Sequence, residues 1–343
     1  MKSFFGFVVL FVITVAVIGG YRLMRLKNPR AVYSPEKKEL YLYEPVNLKQ
    51  LSASLVDSLQ IVQNQEELLW AAKLYGWNSF KEGHYTIDGN YSYNQFLSKV
   101  AKGVQDPISV TILPGRMQNE ILSKLPHEFA FDSTALQAAI TDSLFLARFK
   151  IDRQTLIGHL FPDTYKFYWT AEPKRVLSKI FNKFNNRIEP LLGRLQELDK
   201  SLNQIVTLAS IIEWEAVQDS AKPIISGLYW NRLKRGMLLQ ADPTVNFAVG
   251  KRRRLFFKDY KVKSAYNTYL HAGLPPGPIT NPDLNSIKAA LNPAEHDYLY
   301  MSAKPGGGHA FSKTYAQHQK RAAEWRKWLQ KQVEIKKKRE GKS

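Results

Sequence analysis

Residues 4–21 read FFGFVVLFVITVAVIGGY, with Thr14 the only clearly polar side chain. No other feature constrains the fold as much. As a helix, eighteen such residues span ~27 Å, close to the ~30 Å hydrocarbon core of a bilayer. Lys2 precedes the run, and Arg22, Arg25 and Lys27 follow it. A cleaved signal peptide is the alternative, but its apolar core is shorter and a small-x-small site follows it. Here Ile18-Gly19-Gly20-Tyr21 leads directly into Arg22 and bulky residues, which favours an uncleaved anchor. Orientation stays open on charge alone. Counting basic residues favours a cytoplasmic body, yet long domains translocate largely regardless of charge.

The remainder is long enough for about two domains. In the 343-residue chain, 44% apolar and 23% charged residues exclude wholesale disorder. The absence of cysteine excludes a disulfide scaffold, a thiolate metal site and a cysteine nucleophile. The 49 Lys+Arg against 30 Asp+Glu give a net +19, and residues 320–343 alone hold ten Lys/Arg against three Glu. A second cluster is Lys251-Arg252-Arg253-Arg254. Such runs either form a solvated face and a frayed tail or meet an anionic partner. No zinc-finger spacing or RNA-binding aromatic motif accompanies them, so nucleic acid is not an expected partner. An anionic wall or lipid surface fits the charge equally well.

Patterning predicts an α+β chain. Residues 22–35, basic and containing Pro29 and Pro35, read as a linker. A short strand is expected at 40–44, helices from Asn47 and over 66–75, a strand at 83–87, a helix at 92–102 and a strand at 108–113. That order suggests a small module over 36–115. Beyond it the chain reads as mainly helical. Pro173 opens a helix with Leu177, Ile180, Phe181, Phe184 and Ile188 at helical spacing. Ser201 and Gln204 have capping-box form, and the helix they start is expected to continue through Val217. Another runs from Pro223 to Gly236, residues 264–312 are loop-rich, and 324–342 form a charged helix.

Which side chains could perform chemistry? The histidines lack metal-ligand spacing, and neither a Gly-x-Ser-x-Gly elbow nor a phosphate-cradling loop is present. No metal or cofactor is expected. Leu208, Ile211, Ile212 and Glu215 fall on one helical face, so Glu215 projects from an apolar stripe. A carboxyl held there is desolvated and stays protonated near neutrality, as a general acid at a glycosidic oxygen must. Alternatively Glu215 ends the stripe and pairs with a base such as Arg232. Glu213 lies ~200° around the helix from it.

Several segments together resemble one family. Residues 208–215 (LASIIEWE) look like the catalytic helix of the endolytic murein transglycosylases, the MltG or YceG-like family. Tyr229-Trp230-Asn231-Arg232-Leu233, Gly236-Met237 and residues 239–245 (LQADPTV) match its next helix and loop. Phe161-Pro162-Asp163-Thr164-Tyr165 matches upstream. Tyr266-Asn267-Thr268-Tyr269, residues 273–279 (GLPPGPI), Asn281-Pro282, residues 289–293 (AALNP), Tyr298-Leu299-Tyr300 and residues 308–312 (GHAFS) follow in family order. Ile157-Gly158 and Pro114-Gly115 stand where the family has Glu-Gly, and Ala216 replaces a Thr.

The resemblance implies a lytic transglycosylase acting on peptidoglycan, with Glu215 catalytic and Glu213 a supporting acid. By the same carry-over, Tyr229, Asn231, Gln240, Asp242 and Thr244 line the substrate groove. It also implies a LysM-like module ahead of the catalytic domain. The expected organisation is a cytoplasmic N-terminus at 1–3, a transmembrane anchor at 4–21, a linker at 22–35, the LysM-like module at 36–115, the YceG-like catalytic domain at 116–323 and a basic tail at 324–343. Peptidoglycan lies outside the cytoplasmic membrane, so the resemblance places the body on the outer side of that membrane. Peptidoglycan synthases are candidate partners. A non-catalytic wall-binding scaffold on the same fold is the alternative, and a basic lipid or nucleic-acid binder facing the cytoplasm is a third.

Overall fold

The computed structural model describes residues 2–216 and 218–340, with side chains over 6–216 and 218–335. Contacts divide the chain into two units. The first is built from residues up to 110 together with 128–131 and 166–172, and the second from the remainder.

The first unit begins with α1 (Lys2–Leu26), whose stretch Gly6–Leu26 is long and apolar enough to cross a membrane. Strand β1 (Val32–Leu42) follows, then β2 (Val46–Asn47), α2 (Leu48–Ala53), α3 (Gln65–Tyr75), β3 (Ser79–Phe80), β4 (Gly83–Tyr91), α4 (Tyr93–Ala101) and β5 (Ile108–Ile112). β1 and β4 pair antiparallel, as do β2 and β3. Side-chain caps close these helices. Asn47 and Ser92 form capping boxes with Gln50 and Gln95, and Gly76 closes α3 in the left-handed region at φ 71°.

Residues 22–35 are not a linker. α1 continues through Leu26 and β1 begins at Val32, because Leu26, Ala31 and Val32 are buried in the core with Leu40, Tyr85 and Phe96. Arg25 Nε donates to Glu67 Oε1 at 2.8 Å and its guanidinium lies over Trp70. The module limits of 36–115 also move. Segments 128–131 and 166–172 belong to this unit through aromatic packing. Phe129 meets Phe167 edge-on, and Trp169 meets the rings of Tyr41 and Tyr43.

The second unit contains α5 (Gln118–Leu122), most of α6 (Leu125–Glu128), α7 (Ser133–Thr141), α8 (Ser143–Ala147), α9 (Leu156–His159), the first three residues of β6 (Asp163–Phe167), α10 (Pro173–Ile188), α11 (Leu192–Glu197) and α12 (Leu202–Glu215). There follow α13 (Lys222–Lys234), α14 (Asp242–Ala248), α15 (Leu284–Leu291), β7 (Tyr300–Ala303), β8 (His309–Ser312) and α16 (Tyr315–Glu340). α12 is central, packing against α13, α14 and α15. Of its fourteen residues, every one from Ile205 to Ile212 is buried. Each large apolar side chain there contributes ~1.5–3 kcal/mol on burial. Ser201 and Gln204 start the helix reciprocally, at 2.9 and 3.2 Å. α12 ends at Glu215, with extended Ala216 as its cap; Val217 lies outside the described residues. α16 starts nine residues before the expected 324, at Tyr315, and Lys342 lies outside the described residues.

Two glycines let backbone close on α12. Gly158 needs to lack a Cβ, which would sit 2.6 Å from Val206 Cγ1. Gly115, at φ 64°, accepts a 2.7 Å hydrogen bond from Trp214 Nε1 through its carbonyl. These are two of the positions at which the chain departs from the family's Glu-Gly; in both, the glycine is the half that is kept.

Candidate active site

The helix phase brings Leu208, Ile211 and Ile212 into the core and leaves Glu215 at its margin, with 20% of its side chain exposed. The surrounding protein strips water from the carboxyl, and the negative charge of Asp242 adds to the effect. Together they push the Glu215 pKa up to about 7. Its place at the C-terminal end of α12 acts in the same direction, since the helix dipole is negative there. Glu215 makes no pair with Arg232. That guanidinium is buried and donates instead to the carbonyls of Leu299, Leu238 and Leu239.

The nearest imidazole is that of His309. Its Nε2 lies 4.0 Å from Glu215 Oε1, with 14% of the side chain exposed. Burial and the Lys304 charge lower the His309 pKa, so the ring is neutral near pH 7. His309 opens β8, directly after the turn Gly306-Gly307-Gly308, and pairs with Ala303. All three glycines have left-handed φ. The family motif at 308–312 includes this histidine without assigning it a role. Its signal was a histidine following a glycine turn in a loop-rich region, which is too common to single it out.

Glu213 sits among other partners. Ser286 Oγ donates to its Oε2 at 2.5 Å and the Asp283 N–H at 3.2 Å, while Lys222 Nζ lies 3.5 Å away. Burial raises the Glu213 pKa. Against the same desolvation, hydrogen bonds to Asp219 and Asp283 keep Lys222 charged. Lys222 and Asp283 form the closer ion pair, at 2.9 Å, with Glu213 further from the same ammonium. This network ties α12 to α13 and the start of α15.

The expected groove residues divide. Gln240 and Asp242 are exposed. Gln240 has φ 47°, a left-handed conformation that a glutamine adopts only under constraint, and its N–H donates to the Thr268 carbonyl at 3.1 Å. Asp242 accepts from Tyr269 Oη at 2.7 Å and from Tyr260 Oη at 3.3 Å. Thr244, by contrast, is fully buried, its hydroxyl 2.7 Å from the Ala241 carbonyl and 2.9 Å from Thr268 Oγ1. Tyr229 is only 1% exposed. Asn231 donates to the carbonyls of His296 and Tyr298 at 2.6 and 3.3 Å. Tyr229 and Thr244 are thus buried, and Asn231 is half-buried.

Of the basic cluster 251–254, two members are engaged. Arg253 makes two hydrogen bonds to Asp259, at 2.7 and 2.9 Å, and Arg252 lies 5.1 Å from the Trp214 ring centroid. Trp214 is thus held between Arg252 and Gly115, and it lies next to Glu215 in sequence. Among the described residues no cluster of histidines and carboxylates could hold a metal ion.

A profile of the YceG-like family matches residues 31–324. The chain belongs to that family. An endolytic murein transglycosylase of Bacillus subtilis (strain 168) is 29% identical over 288 residues, covering 78% of this chain and 79% of that one. One of Streptococcus pneumoniae serotype 2 is 24% identical over 308 residues, and the chain spans 55% of that relative's length. A crystal structure of a yceG-like protein from Listeria monocytogenes superposes with a TM-score of 0.59 at 28% identity, covering 84% of this chain and 99% of that one. The YceG-like match covers α12, the Gln240–Asp242 loop and the β7–β8 hairpin, so all the site elements above lie within it.

Proposed function

We propose that this YceG-like protein is a membrane-anchored endolytic murein transglycosylase. Glu215 is its single general acid and base. The observation that carries this reading is Glu215 itself, a carboxyl at the edge of the core whose pKa sits at about 7 beside a neutral imidazole. The names of the relatives supply the substrate class, peptidoglycan.

Protonated Glu215 donates to the glycosidic oxygen between N-acetylmuramic acid and N-acetylglucosamine. The bond from C1 to that oxygen breaks, and the leaving sugar keeps the proton as a hydroxyl. Positive charge develops on the muramoyl ring. Its own C6 hydroxyl then attacks C1 and surrenders its proton to the Glu215 carboxylate. The products are a new hydroxyl end and a 1,6-anhydromuramoyl end, with no water consumed. One carboxyl therefore suffices where hydrolases need two across the bond, and attack from within the ring has the advantage of proximity. Gln240 and Asp242, exposed beside the acid, are the proposed sugar contacts. Tyr229, Asn231 and Thr244 shape the groove from behind. Glu213 supports α12 through its network with Lys222, Asp283 and Ser286.

α1 serves as the anchor, and the substrate places the body on the outer side of the cytoplasmic membrane. From there the enzyme trims or terminates nascent strands beside the synthases. The β1–α2–α3–β4 order supports reading a LysM-like module within the first unit. Mass spectrometry of digested sacculi tests the chemistry. Anhydro ends that vanish with Glu215→Gln support the reading. Reducing ends, or release unaffected by the substitution, overturn it.

A further inference from the structure

The second unit contains a cleft of about 910 Å³ to which Glu215 contributes nothing. One wall is a single face of α7, where Ser133, Leu136, Gln137, Ile140 and Thr141 follow helical spacing. α5 forms another wall, α9 contributes the apolar floor of Leu156 and Ile157, and Phe247 and Tyr266 close the far side. The two aromatic rings lie 4.5 Å apart. Phe247 is on α14, whose first residue is Asp242, and five residues of helix advance ~7.5 Å. One short helix therefore connects the carboxylate that raises the Glu215 pKa with the wall of this cleft.

The lining chemistry is selective. Gln118, Asn119, Gln137 and Gln154 bring four side-chain amides to the cleft, none of them hydrogen-bonded within the protein among the described residues. Arg153 brings a permanent positive charge and has no carboxylate partner among the described residues. No Asp or Glu lines the cleft among those residues. The cleft therefore offers no negative charge that would repel an anionic ligand. Amides match a peptide backbone, the apolar floor matches small side chains, and a lone guanidinium matches a free carboxylate.

We infer that this cleft is a recognition site for the acidic peptide carried by the glycan strand, distinct from the groove at Glu215. The inference rests on peptidoglycan being the substrate. The peptide and the sugar chain are covalently joined, so filling the cleft positions the muramoyl ring along α14 toward the acid. The enzyme then favours strands whose peptides are intact.

The test uses the full-length chain in detergent micelles with two substrates: peptide-bearing glycan strands and the same strands stripped by an amidase. Arg153→Glu is expected to raise KM about tenfold for the first, with kcat unchanged, and to leave the second unaltered. Gln137→Ala is expected to act in the same direction more weakly. In a second arm, calorimetry measures binding of the amidase-released peptide to the Glu215→Gln protein, which needs no activity. Binding that is lost with Arg153→Glu supports the inference even if the proposed reaction fails. Equal weakening toward both substrates assigns the cleft to saccharide and overturns it. So does unchanged kinetics, or the absence of peptide binding in a protein whose parent is active.

Discussion

His309 Nε2 faces Glu215 Oε1 across 4.0 Å, and at neutral pH the imidazole is uncharged. A charged imidazolium there would draw the carboxyl down and ionise it before any substrate arrived. A neutral ring excludes water without supplying that charge. The two groups thus act as one desolvated pair, and three predictions concern it or the helix that carries it.

The first is the pH dependence of the reaction. Glu215 must be protonated to start the cycle and its pKa is about 7. The rate is therefore flat on the acid side of 7 and falls about tenfold per pH unit above it. Glu215→Gln lowers kcat by ~10²–10⁴-fold. The same group affects stability with a defined sign. Its folded pKa exceeds its unfolded value near 4.5. The stabilising contribution of proton binding is therefore complete below 4.5 and is lost as pH rises through 7. Over that window the wild type loses up to ~3 kcal/mol that Glu215→Gln does not. Denaturant melts at pH 4 and pH 8 check this: the gap between the two proteins should shift toward the variant at pH 8, and a constant gap would exclude a raised pKa.

Replacing His309 separates its bulk from its charge. His309→Phe keeps the pair dry, so the alkaline limb of the pH–rate profile stays near 7. His309→Lys sets a cation beside the carboxyl and moves that limb down by about one unit or more. Matched pH–rate profiles decide. A limb unmoved by the lysine shows that Glu215 is not the group being titrated.

Glu213 and Lys222 should behave oppositely to each other. Lys222 is buried among Glu213, Asp219 and Asp283, so Lys222→Met leaves the partly buried Glu213 and Asp283 without their cation and costs ~2–4 kcal/mol. Glu213→Gln retains an oxygen for Ser286 Oγ and the Asp283 N–H. Its expected cost is ~1 kcal/mol, with kcat changed no more than about threefold. A kcat loss as large as that of Glu215→Gln would return Glu213 to the chemistry.

How much of this could be read from residues alone follows from where each signal resides. Helix periodicity puts Leu208, Ile211 and Ile212 on the buried face with Glu215 at its margin, as the structure has them, because phase along one element is a local property. The capping box at Ser201 was legible for the same reason. Thr244 was not. Its motif gives the residue but not the rotation of the first turn of α14, and that rotation turns its hydroxyl inward to Thr268. The linker reading failed at Leu26 and Val32 because proline and basic content there carried no trace of the distant core they enter. The recruitment of Trp169 to the first unit is likewise a long-range contact that no window of sequence contains.

Tyr229 gives the sharpest test of the difference between motif and geometry. Resemblance makes it a groove residue, yet it is 1% exposed and its hydroxyl has no hydrogen-bond partner among the described residues. Burial and the nearby Glu215 charge hold its pKa well above the usual tyrosine value, so the hydroxyl stays protonated. An unpaired buried hydroxyl is a net cost, and its removal leaves the ring's packing intact. Tyr229→Phe is therefore expected to stabilise the protein by ~1 kcal/mol and to leave kcat/KM within about twofold. Tyr229→Ala should destabilise it by ~3–5 kcal/mol through the cavity it opens behind the acid. Denaturant unfolding and steady-state kinetics on the two variants settle the matter: a tenfold or greater loss of kcat/KM in Tyr229→Phe would show that the hydroxyl reaches the substrate after all.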